Sequence, residues 1–332
     1  MAASDFRALQ ATNRRQTVIL VAVFIVLFGV LGFGLDYLAR NVRFNGGHLI
    51  GFPIFTIFAL GFGGIQSLVS FYGGASLVLL SVRAEPLTGD TVERQTVLNV
   101  INEMAIASRL PVPKAYLMND PSPNAFATGR DPQHSVICVT QGLIDQMDRE
   151  EIQGVIGHEM SHIRDYDIRT MMMIAVLVGG IAMLSDFVYR TMFFGGFGGR
   201  DNDSNDHENE SSAVIAIAVL ILAVLAPIFA QLLAMAVSRE REYLADAASV
   251  EFTRNPRALL RALQRLQQVE SPLKAGTAGT AHLFMVNPRE GAKEDDEGFF
   301  ANLISTHPPL GRRIARLQAM IGAPSESPAV AN

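Results

Sequence analysis

The residues best suited to chemistry are two histidines, separated by three positions, with a glutamate directly after the first: His158, Glu159 and His162. On a helix, residues four apart share one face, so both imidazoles can reach a single metal ion. Imidazole nitrogens are typical ligands of Zn²⁺, and an adjacent carboxylate can take a proton from a water at the open coordination position. We therefore predict a zinc site with His158 and His162 as ligands and Glu159 as the general base. The alternative is that both histidines are ordinary core or surface residues.

A catalytic zinc ion needs a third protein ligand, and an acidic helix later in the chain offers one. Glu242 and Asp246 are four residues apart, so they share one helix face. We expect Glu242 to bind the metal and Asp246 to accept the distal N–H of a ligand histidine, which fixes the tautomer of that ring. Glu240 is a rival ligand, but it points away from the Asp246 face. Alone, such a pair is more typical of a solvated helix face or an intrahelical charge network.

The elements that must position these residues include long apolar segments. Hydrophobic residues make up 49% of the chain and charged residues 18%, with a mean hydropathy of +0.25. Soluble domains usually carry about a quarter charged residues, so we expect part of this chain to lie in lipid. Candidate transmembrane helices lie at 17–35, 49–82, 171–188 and 213–237. The third is the weakest, because it is short and Asp186 lies near its end, and a membrane-lying hairpin is the alternative for the last two.

Arginines in the short connections indicate the orientation of these helices. They precede the first apolar run and follow the second and the fourth, as in Arg14, Arg83 and Arg239. This distribution predicts four spans with both termini on the cytoplasmic side.

The apolar runs divide the chain into four parts. Residues 1–82 are expected to form a membrane anchor with two transmembrane helices, and 171–237 a transmembrane hairpin with an acidic loop. Residues 83–170 supply the first part of a catalytic domain, with the helix of both histidines, and 238–332 supply the second part, with the third zinc ligand. Both hydrophilic parts then lie on one side of the membrane and can form one domain.

Periodicity and turn residues outline the secondary structure of the hydrophilic parts. We predict strands at 115–118 and 135–140 and loops at 120–130 and 271–300. Helices are predicted at 91–109, 148–167, 234–250, 255–269 and 309–320. The expected fold class is mainly α with a small β-sheet, plus about four transmembrane helices.

The composition also argues against some classes of function. The net charge is −5, and no basic stripe is present, so nucleic-acid binding has no support. The only cysteine, Cys138, rules out an internal disulfide framework and is predicted to be a small buried apolar residue.

Four stretches of the sequence, 124–129, 156–162, 238–246 and 305–314, resemble the HtpX family of membrane metalloproteases and, more distantly, the CAAX prenyl proteases. The resemblance implies an α+β, zincin-like catalytic domain of the gluzincin type in the bacterial inner membrane. It implies activity on membrane or misfolded proteins at the cytoplasmic face, as part of a stress response and protein quality control.

Position by position, the resemblance places the zinc ligands on His158, His162 and Glu242, the base on Glu159 and the supporting carboxylate on Asp246. It also implies that His307, with Arg313 nearby, stabilises the oxyanion, although a histidine before two prolines is as often structural. Zincin sites commonly hold peptide as an added strand. We expect the 135–140 strand to be that edge, with Asn124 and Phe126 either lining the cleft or forming a surface loop. The expected partners are one Zn²⁺ per chain, protein or peptide substrates and the lipid bilayer; the sequence leaves the oligomeric state open.

Two other interpretations remain open from the sequence. An intramembrane protease of the site-2 type would carry its histidine motif inside an apolar span, whereas charged residues follow this motif directly, as in Arg164, Asp165 and Asp167. A non-catalytic zinc-binding membrane scaffold or a transporter would show no dependence on Glu159. A transporter also favours ionisable residues within its spans, and apart from Asp186 the predicted spans contain none.

Overall fold

The computed structural model describes residues 5–40, 43–44, 47–48, 52–194, 217–230, 239–269, 283–285 and 308–322. The helices are α1 (Asp5–Arg40), α2 (Ile54–Ser81), α3 (Val92–Ser108), α4 (Gln141–Gln146), α5 (Arg149–Arg164), α6 (Asp167–Phe194), α7 (Ile217–Ala230), α8 (Arg239–Thr253), α9 (Pro256–Gln267) and α10 (Leu310–Gly322). The strands are β1 (Arg43–Phe44), β2 (Gly47–His48), β3 (Glu85–Pro86), β4 (Lys114–Met118), β5 (Ala125–Gly129) and β6 (Ser135–Thr140). The predicted fold class, mainly helical with a small sheet, is confirmed.

The chain divides into two compact units, each built from separate parts of the polypeptide. One unit comprises Met1–Val78 and Arg169–Ala236, and the other comprises Leu79–Ile168 and Val237–Asn332. The polypeptide passes from one unit to the other within α2 and again within α6.

Three helices of the described residues are long and apolar enough to cross a membrane. They are Gln10–Tyr37 and Ile54–Ser81, of 28 residues each, and Asp167–Arg190, of 24 residues. At 1.5 Å per residue, each exceeds the thickness of about 30 Å of a hydrocarbon core. These candidate helices match the first three predicted spans in position, length and composition. The described part of the fourth is the shorter apolar helix Ile217–Ala230, and its predicted flanks lie outside the described residues.

The membrane helices α1 and α2 pack closely because a small residue lies at their contact. A Cβ atom added at Gly32 would lie 2.7 Å from the Phe55 carbonyl oxygen, so only glycine allows this approach. At the end of α1, Asp36 accepts hydrogen bonds from the backbone N–H groups of Phe55 and Thr56, at 3.0 and 2.7 Å. These bonds satisfy donors in the first turn of α2 that have no partner within their own helix.

The second unit contains a four-stranded sheet with the order β3-β4-β6-β5. β4 and β6 run parallel, whereas β5 pairs antiparallel to β6. The strand predicted at 135–140 is confirmed as β6, but the prediction that it forms the edge is wrong, because β4 and β5 flank it on both sides. The loop predicted at 120–130 is also wrong in part, since Ala125–Gly129 form the edge strand β5. All five residues of β5 are buried, so the strand lacks the alternating pattern that would have identified it.

The central helix of this unit is α5, and its boundaries follow from local sequence. The Asp148 side chain accepts from the backbone N–H of Glu151, and the Glu151 side chain accepts from the backbone N–H of Asp148, which forms a capping box. Twelve of the 16 residues of α5 are buried. The helix predicted at 148–167 is thereby confirmed, except that it ends at Arg164, three residues earlier.

Neighbouring helices approach α5 closely at its glycines. A Cβ atom on Gly154 would lie 2.6 Å from the backbone nitrogen of Leu259 in α9, and the Ser249 hydroxyl of α8 donates to the Gly154 carbonyl at 2.7 Å. Because α8 packs this closely against α5, acidic side chains of α8 can reach the histidine face of α5. The helices predicted at 91–109, 255–269 and 309–320 are confirmed as α3, α9 and α10, and the described part of the helix predicted at 234–250 is α8.

Candidate metal centre

Two imidazoles converge on one face of α5. The Nε2 atoms of His158 and His162 lie 3.2 Å apart, and both side chains are buried, with exposed fractions of 1% and 5%. The helix spacing accounts for this convergence, because residues four apart project from adjacent turns of the same face.

Helix α8 adds a carboxylate to this pair. The Glu242 Oε2 atom lies 3.4 Å from the Nε2 atom of His158, and its Oε1 atom lies 3.5 Å from the Nε2 atom of His162. Within the described part of the chain, these three residues form the only group of three or more histidine, cysteine or acidic side chains that could hold a metal ion.

The dimensions of the group fit a tetrahedral Zn²⁺. Two ligand atoms at about 2.0–2.1 Å from such an ion lie about 3.4 Å from each other. The two Nε2 atoms lie 3.2 Å apart, and each lies 3.4 or 3.5 Å from the nearer oxygen of the Glu242 carboxylate, Oε2 for His158 and Oε1 for His162. Two imidazole nitrogens and one carboxylate oxygen are also a donor set that leaves a fourth position open for water or substrate.

The Glu159 carboxyl group lies at the same centre. Its side chain is buried, and one of its oxygens accepts a hydrogen bond from the backbone N–H of Ala127 in β5. The Oε1 atom is buried and has no side-chain or backbone donor within hydrogen-bond geometry among the residues that the structure describes. A buried carboxylate oxygen without a partner is costly, and a water or a substrate N–H group at this position would satisfy it.

On the outer side of His158, Asp246 takes the position that the sequence predicted for it. Its Oδ1 atom lies 3.0 Å from His158 Nδ1. Arg313 of α10 donates to both carboxylate oxygens of Asp246, at 2.6 and 2.9 Å. The carboxylate is therefore ionised and directs the proton of His158 to Nδ1, which leaves the Nε2 lone pair free for a metal.

A second carboxylate, which the sequence analysis did not assign to the site, supports His162. The Oδ2 atom of Asp167 lies 3.1 Å from His162 Nδ1, and Arg241 donates to Asp167 Oδ1 at 2.9 Å. The available signal was an acidic residue five positions after the second histidine. Residues five apart do not share a face of a helix. The carboxylate reaches the ring only because α5 ends before Asp167 and the chain turns back.

Arg313 lies at the same centre. It is completely buried, and its Nη1 atom lies 3.3 Å from Glu242 Oε2 and donates to the Met285 carbonyl at 3.4 Å. Arg313 thus contacts two carboxylates of the centre. One belongs to Glu242, a candidate ligand, and the other to Asp246, which contacts the candidate ligand His158.

Buried charge at the centre is predominantly negative. The ionisable side chains other than histidine comprise four carboxylates and two guanidinium groups: Glu159, Glu242, Asp246, Asp167, Arg313 and Arg241. With neutral imidazoles, four negative and two positive groups leave an excess of two negative charges. A divalent cation between the imidazoles compensates this excess, which would otherwise be expensive in a buried site.

The pKa shifts of the site have the same cause. Burial opposes a charge on His158, but hydrogen bonds to Asp246 and Glu242 outweigh it and raise the pKa of the imidazole. At His162, burial is likewise outweighed by Asp167 and Glu242, which raise the pKa to about 9. Burial also raises the pKa of Glu159, although the neighbouring imidazoles counteract part of this effect. The neighbouring carboxylates therefore favour positive charge at the centre between the two imidazoles.

The outer edge of β5 faces this centre. The Ala125 carbonyl accepts from the Met285 N–H at 3.0 Å, and the Ala127 N–H donates to Glu159. Phe126 is buried and packs edge-to-face against Phe284, with ring centroids 4.9 Å apart. Asn124 and Phe126 are both buried, so the surface-loop alternative is wrong, whereas their place in the cleft stays a prediction. Backbone groups of β5 are instead placed beside the carboxyl group of Glu159.

Two predicted site residues lie outside the described part of the chain. His307 and the side chain of Glu240 are not among the residues that the structure describes. The motif itself, 158–162, lies outside all three candidate spans, which disfavours an intramembrane protease of the site-2 type.

Comparison with known proteins gives consistent results. A model described as "Peptidase family M48" matches residues 92–321. A protein named "Protease HtpX homolog" from Lactobacillus helveticus is 37% identical over 93% of this chain and 98% of its own length. A protein with the same name from Caldanaerobacter subterraneus subsp. tengcongensis is 38% identical over 94% of this chain and 97% of its own length. Among solved structures, "Crystal Structure of S. mikatae Ste24p" aligns with 93% of this chain and 66% of that chain, at 18% identity and a TM-score of 0.47.

Proposed function

The chain belongs to peptidase family M48, and from this membership we propose that it is a zinc-dependent endopeptidase that cleaves membrane or misfolded proteins. Family membership and the relatives make it an HtpX-type membrane metallopeptidase, and hence a hydrolase whose substrates are proteins. The observation that carries the proposal is the convergence of His158, His162 and Glu242 beside the buried carboxyl group of Glu159.

We assign Zn²⁺ as the metal and these three side chains as its ligands. Imidazole and carboxylate donors at separations of 3.2–3.5 Å suit a small tetrahedral cation, and hard cations such as Mg²⁺ and Ca²⁺ prefer all-oxygen sites. When bound, Zn²⁺ supplies Lewis acidity towards a water molecule and towards the carbonyl of the peptide bond.

Glu159 then performs the proton transfers. Its carboxylate accepts a proton from the attacking water, while the water oxygen forms a bond to the scissile carbonyl carbon. The same carboxyl group delivers that proton to the departing nitrogen as the C–N bond breaks. The raised pKa of Glu159, caused by burial, brings the group closer to the pH at which it can both accept and donate a proton. We retain His307 as a proposed donor to the developing oxyanion.

We further propose that the substrate main chain pairs with the outer edge of β5. This edge lies beside Glu159 through the Ala127 N–H, and added-strand binding gives affinity without dependence on side chains. The Met285 N–H donates a hydrogen bond to the Ala125 carbonyl, so an incoming peptide must compete for that acceptor. Peptide substrates N-methylated at single positions should lose affinity at alternate positions, since only every second N–H faces a neighbouring strand. Equal tolerance at all positions would contradict this mode of binding.

The orientation in the membrane is also part of the proposal. We propose an anchor at 1–82, a hairpin at 171–237 and a catalytic domain from 83–170 and 238–332, facing the cytoplasm of a bacterial inner membrane. The arginines that flank the apolar runs support this orientation. Fusions of the C-terminus to green fluorescent protein and to alkaline phosphatase test it. Fluorescence without phosphatase activity is expected, and the reverse result would place the domain on the opposite side.

The decisive experiment for the proposed function is Glu159→Gln. Full-length protein in detergent should cleave casein, lose this activity to a chelator and regain it with added Zn²⁺. The Glu159→Gln variant should bind zinc like the wild-type protein but cleave at least about 100-fold more slowly, because the amide cannot accept the proton. Glu103→Gln, a change of an exposed glutamate that pairs with Arg149 on the surface, is the matched control and should keep full activity. Wild-type cleavage by Glu159→Gln would exclude Glu159 as the base.

A further inference from the structure

The chain turns sharply just after the motif helix. Helix α5 ends at Arg164, and α6 begins at Asp167, so only two residues separate them. The second of these, Tyr166, has a φ angle of 64°, in the left-handed region that costs a non-glycine residue energy. Such a conformation persists only where surrounding contacts stabilise it.

The turn places Asp167 against the metal centre. Asp167 is the first residue of α6, yet its carboxylate approaches His162 Nδ1 at 3.1 Å. The exposed fraction of Asp167 is 3%, so this contact is shielded from solvent. An acidic residue at the start of a helix is stabilised there by the helix dipole, which by itself would leave the side chain in solvent.

Arg241 holds the other oxygen of the same carboxylate. Its Nη1 atom donates to Asp167 Oδ1 at 2.9 Å, and the exposed fraction of Arg241 is 8%. Arg241 directly precedes Glu242 in α8, so consecutive residues of one helix contact the support of His162 and the centre itself. Placing the Asp167 carboxylate correctly therefore depends on the same packing of α8 that places Glu242.

We propose that Asp167, fixed by Arg241, is a positioning residue for His162. It keeps the proton of the imidazole on Nδ1, fixes the rotation of the ring and presents Nε2 to the metal. This inference rests on the proposed zinc site and assigns it a second support, in addition to that of Asp246 on His158.

Charge and geometry give Asp167 this role. Here each oxygen has a defined side-chain partner, an imidazole on one and a guanidinium on the other. A carboxylate held between an arginine and a ligand histidine increases the basicity of that ligand, and removing such a group typically costs about 10–100-fold in metal affinity.

The test is the zinc affinity of the full-length protein in detergent, measured by competition with a chromophoric chelator. Asp167→Ala should bind Zn²⁺ about 10–100-fold more weakly than the wild-type protein. Asp167→Asn should lose less, because the amide oxygen still accepts the Nδ1–H. Arg241→Gln should also weaken binding, since the carboxylate loses its second anchor. Substitution of Co²⁺ for Zn²⁺ gives an independent readout: the visible absorption bands should shift in Asp167→Ala, because the ligand ring is no longer fixed.

Asp165→Asn is the matched control. Asp165 is also buried, two residues earlier, and its carboxylate pairs with Arg164. This variant should keep wild-type zinc affinity and the wild-type Co²⁺ spectrum, and thermal unfolding of the metal-free proteins corrects for any loss of stability. Equal losses of zinc affinity in Asp165→Asn and Asp167→Ala would show a general structural effect and overturn the inference. Wild-type affinity in a folded Asp167→Ala would overturn it as well, with the proposed function intact, whereas a wild-type protein that binds no zinc would remove both.

Discussion

His158 and His162 lie on the same face of α5, but their supports come from different regions of the molecule. The Nδ1 atom of His158 contacts Asp246 of α8, a carboxylate that Arg313 of α10 holds. The Nδ1 atom of His162 contacts Asp167, which follows it by only five residues. One support depends on long-range packing, and the other depends on a local turn. The two histidines therefore have the same chemistry but different structural vulnerabilities.

This difference has a consequence for how the centre assembles. Glu242, Asp246 and Arg241 all belong to α8, so that helix contributes to both supports as well as to the candidate ligand set. A change that displaces α8 affects both histidines, whereas a change in the turn after α5 affects His162 alone. Substitutions in α8 and in the turn after α5 separate these cases.

The largest effect is expected from Glu242→Ala, because Glu242 lies between both imidazoles. Removing it leaves two protein ligands, and the metal content after dialysis should fall from about one ion per chain to less than about a tenth, with loss of proteolysis. Metal analysis of the purified protein measures this. Glu251→Ala, an exposed position in the same helix, is the control and should retain the metal. Full zinc content in Glu242→Ala would exclude Glu242 as the third ligand.

The next effect concerns the two arginines. Arg313 has no exposed surface and contacts Asp246 and Glu242, so Arg313→Met leaves both carboxylates without it and should lower the free energy of unfolding by about 3–5 kcal/mol. Arg241→Met should cost less, because Arg241, which pairs with Asp167, keeps some exposure to solvent whereas Arg313 has none. Thermal and denaturant unfolding of the metal-free proteins compare the two. A larger cost for Arg241→Met would reverse the order proposed for the two supports.

Conservative changes to the two carboxylates give a smaller effect. Asp246→Asn and Asp167→Asn should each weaken zinc binding by about 10-fold, within the range for outer supports of metal ligands. Asp246→Asn should be the more damaging, since it also leaves the completely buried Arg313 with one fewer counter-charge. Chelator competition at one pH ranks them. If Asp246→Asn bound zinc normally, the support of His158 would be structural only.

The smallest effect is expected from Gly154→Ala, which tests the packing rather than the chemistry. The new Cβ would lie 2.6 Å from the backbone nitrogen of Leu259, so α9 must shift, at a cost of about 1–3 kcal/mol in the free energy of unfolding. Gly179→Ala, in α6, is the matched control, because nothing lies within 4 Å of the added atom. It should be neutral or slightly stabilising, as alanine favours helix over glycine. Equal stability of the two variants would show that the close approach at Gly154 is not needed.

Much of the candidate site could be predicted because its central features are local. The spacing of His158 and His162 sets their common face on any helix, and Asp148 with Glu151 sets the start of that helix. The first three membrane helices could also be predicted, since length and apolar composition decide whether a segment can cross a bilayer.

The errors concern features that depend on neighbours in space. The sequence of β5 resembles a turn-rich loop, because all its residues are buried and apolar and polar residues do not alternate along it. Its pairing with β6 makes it a strand. The sheet edge could not be assigned from β6 alone, since strand order follows from which segments pair, not from the composition of any one of them. The corrected edge is the one whose Ala127 N–H reaches Glu159.

The sequence by itself determined the candidate ligand types, the candidate base beside them and the apolar segments, because each depends on residue type and on spacing within one segment. Tertiary structure alone decided that Asp167 returns to His162 and that Arg313 lies between Asp246 and Glu242. The physical reason is that a buried charge is stable only where its counter-charges and hydrogen-bond partners meet it. Those partners come from the turn at Tyr166 and from the helices α8 and α10, whose approach to α5 is set by packing.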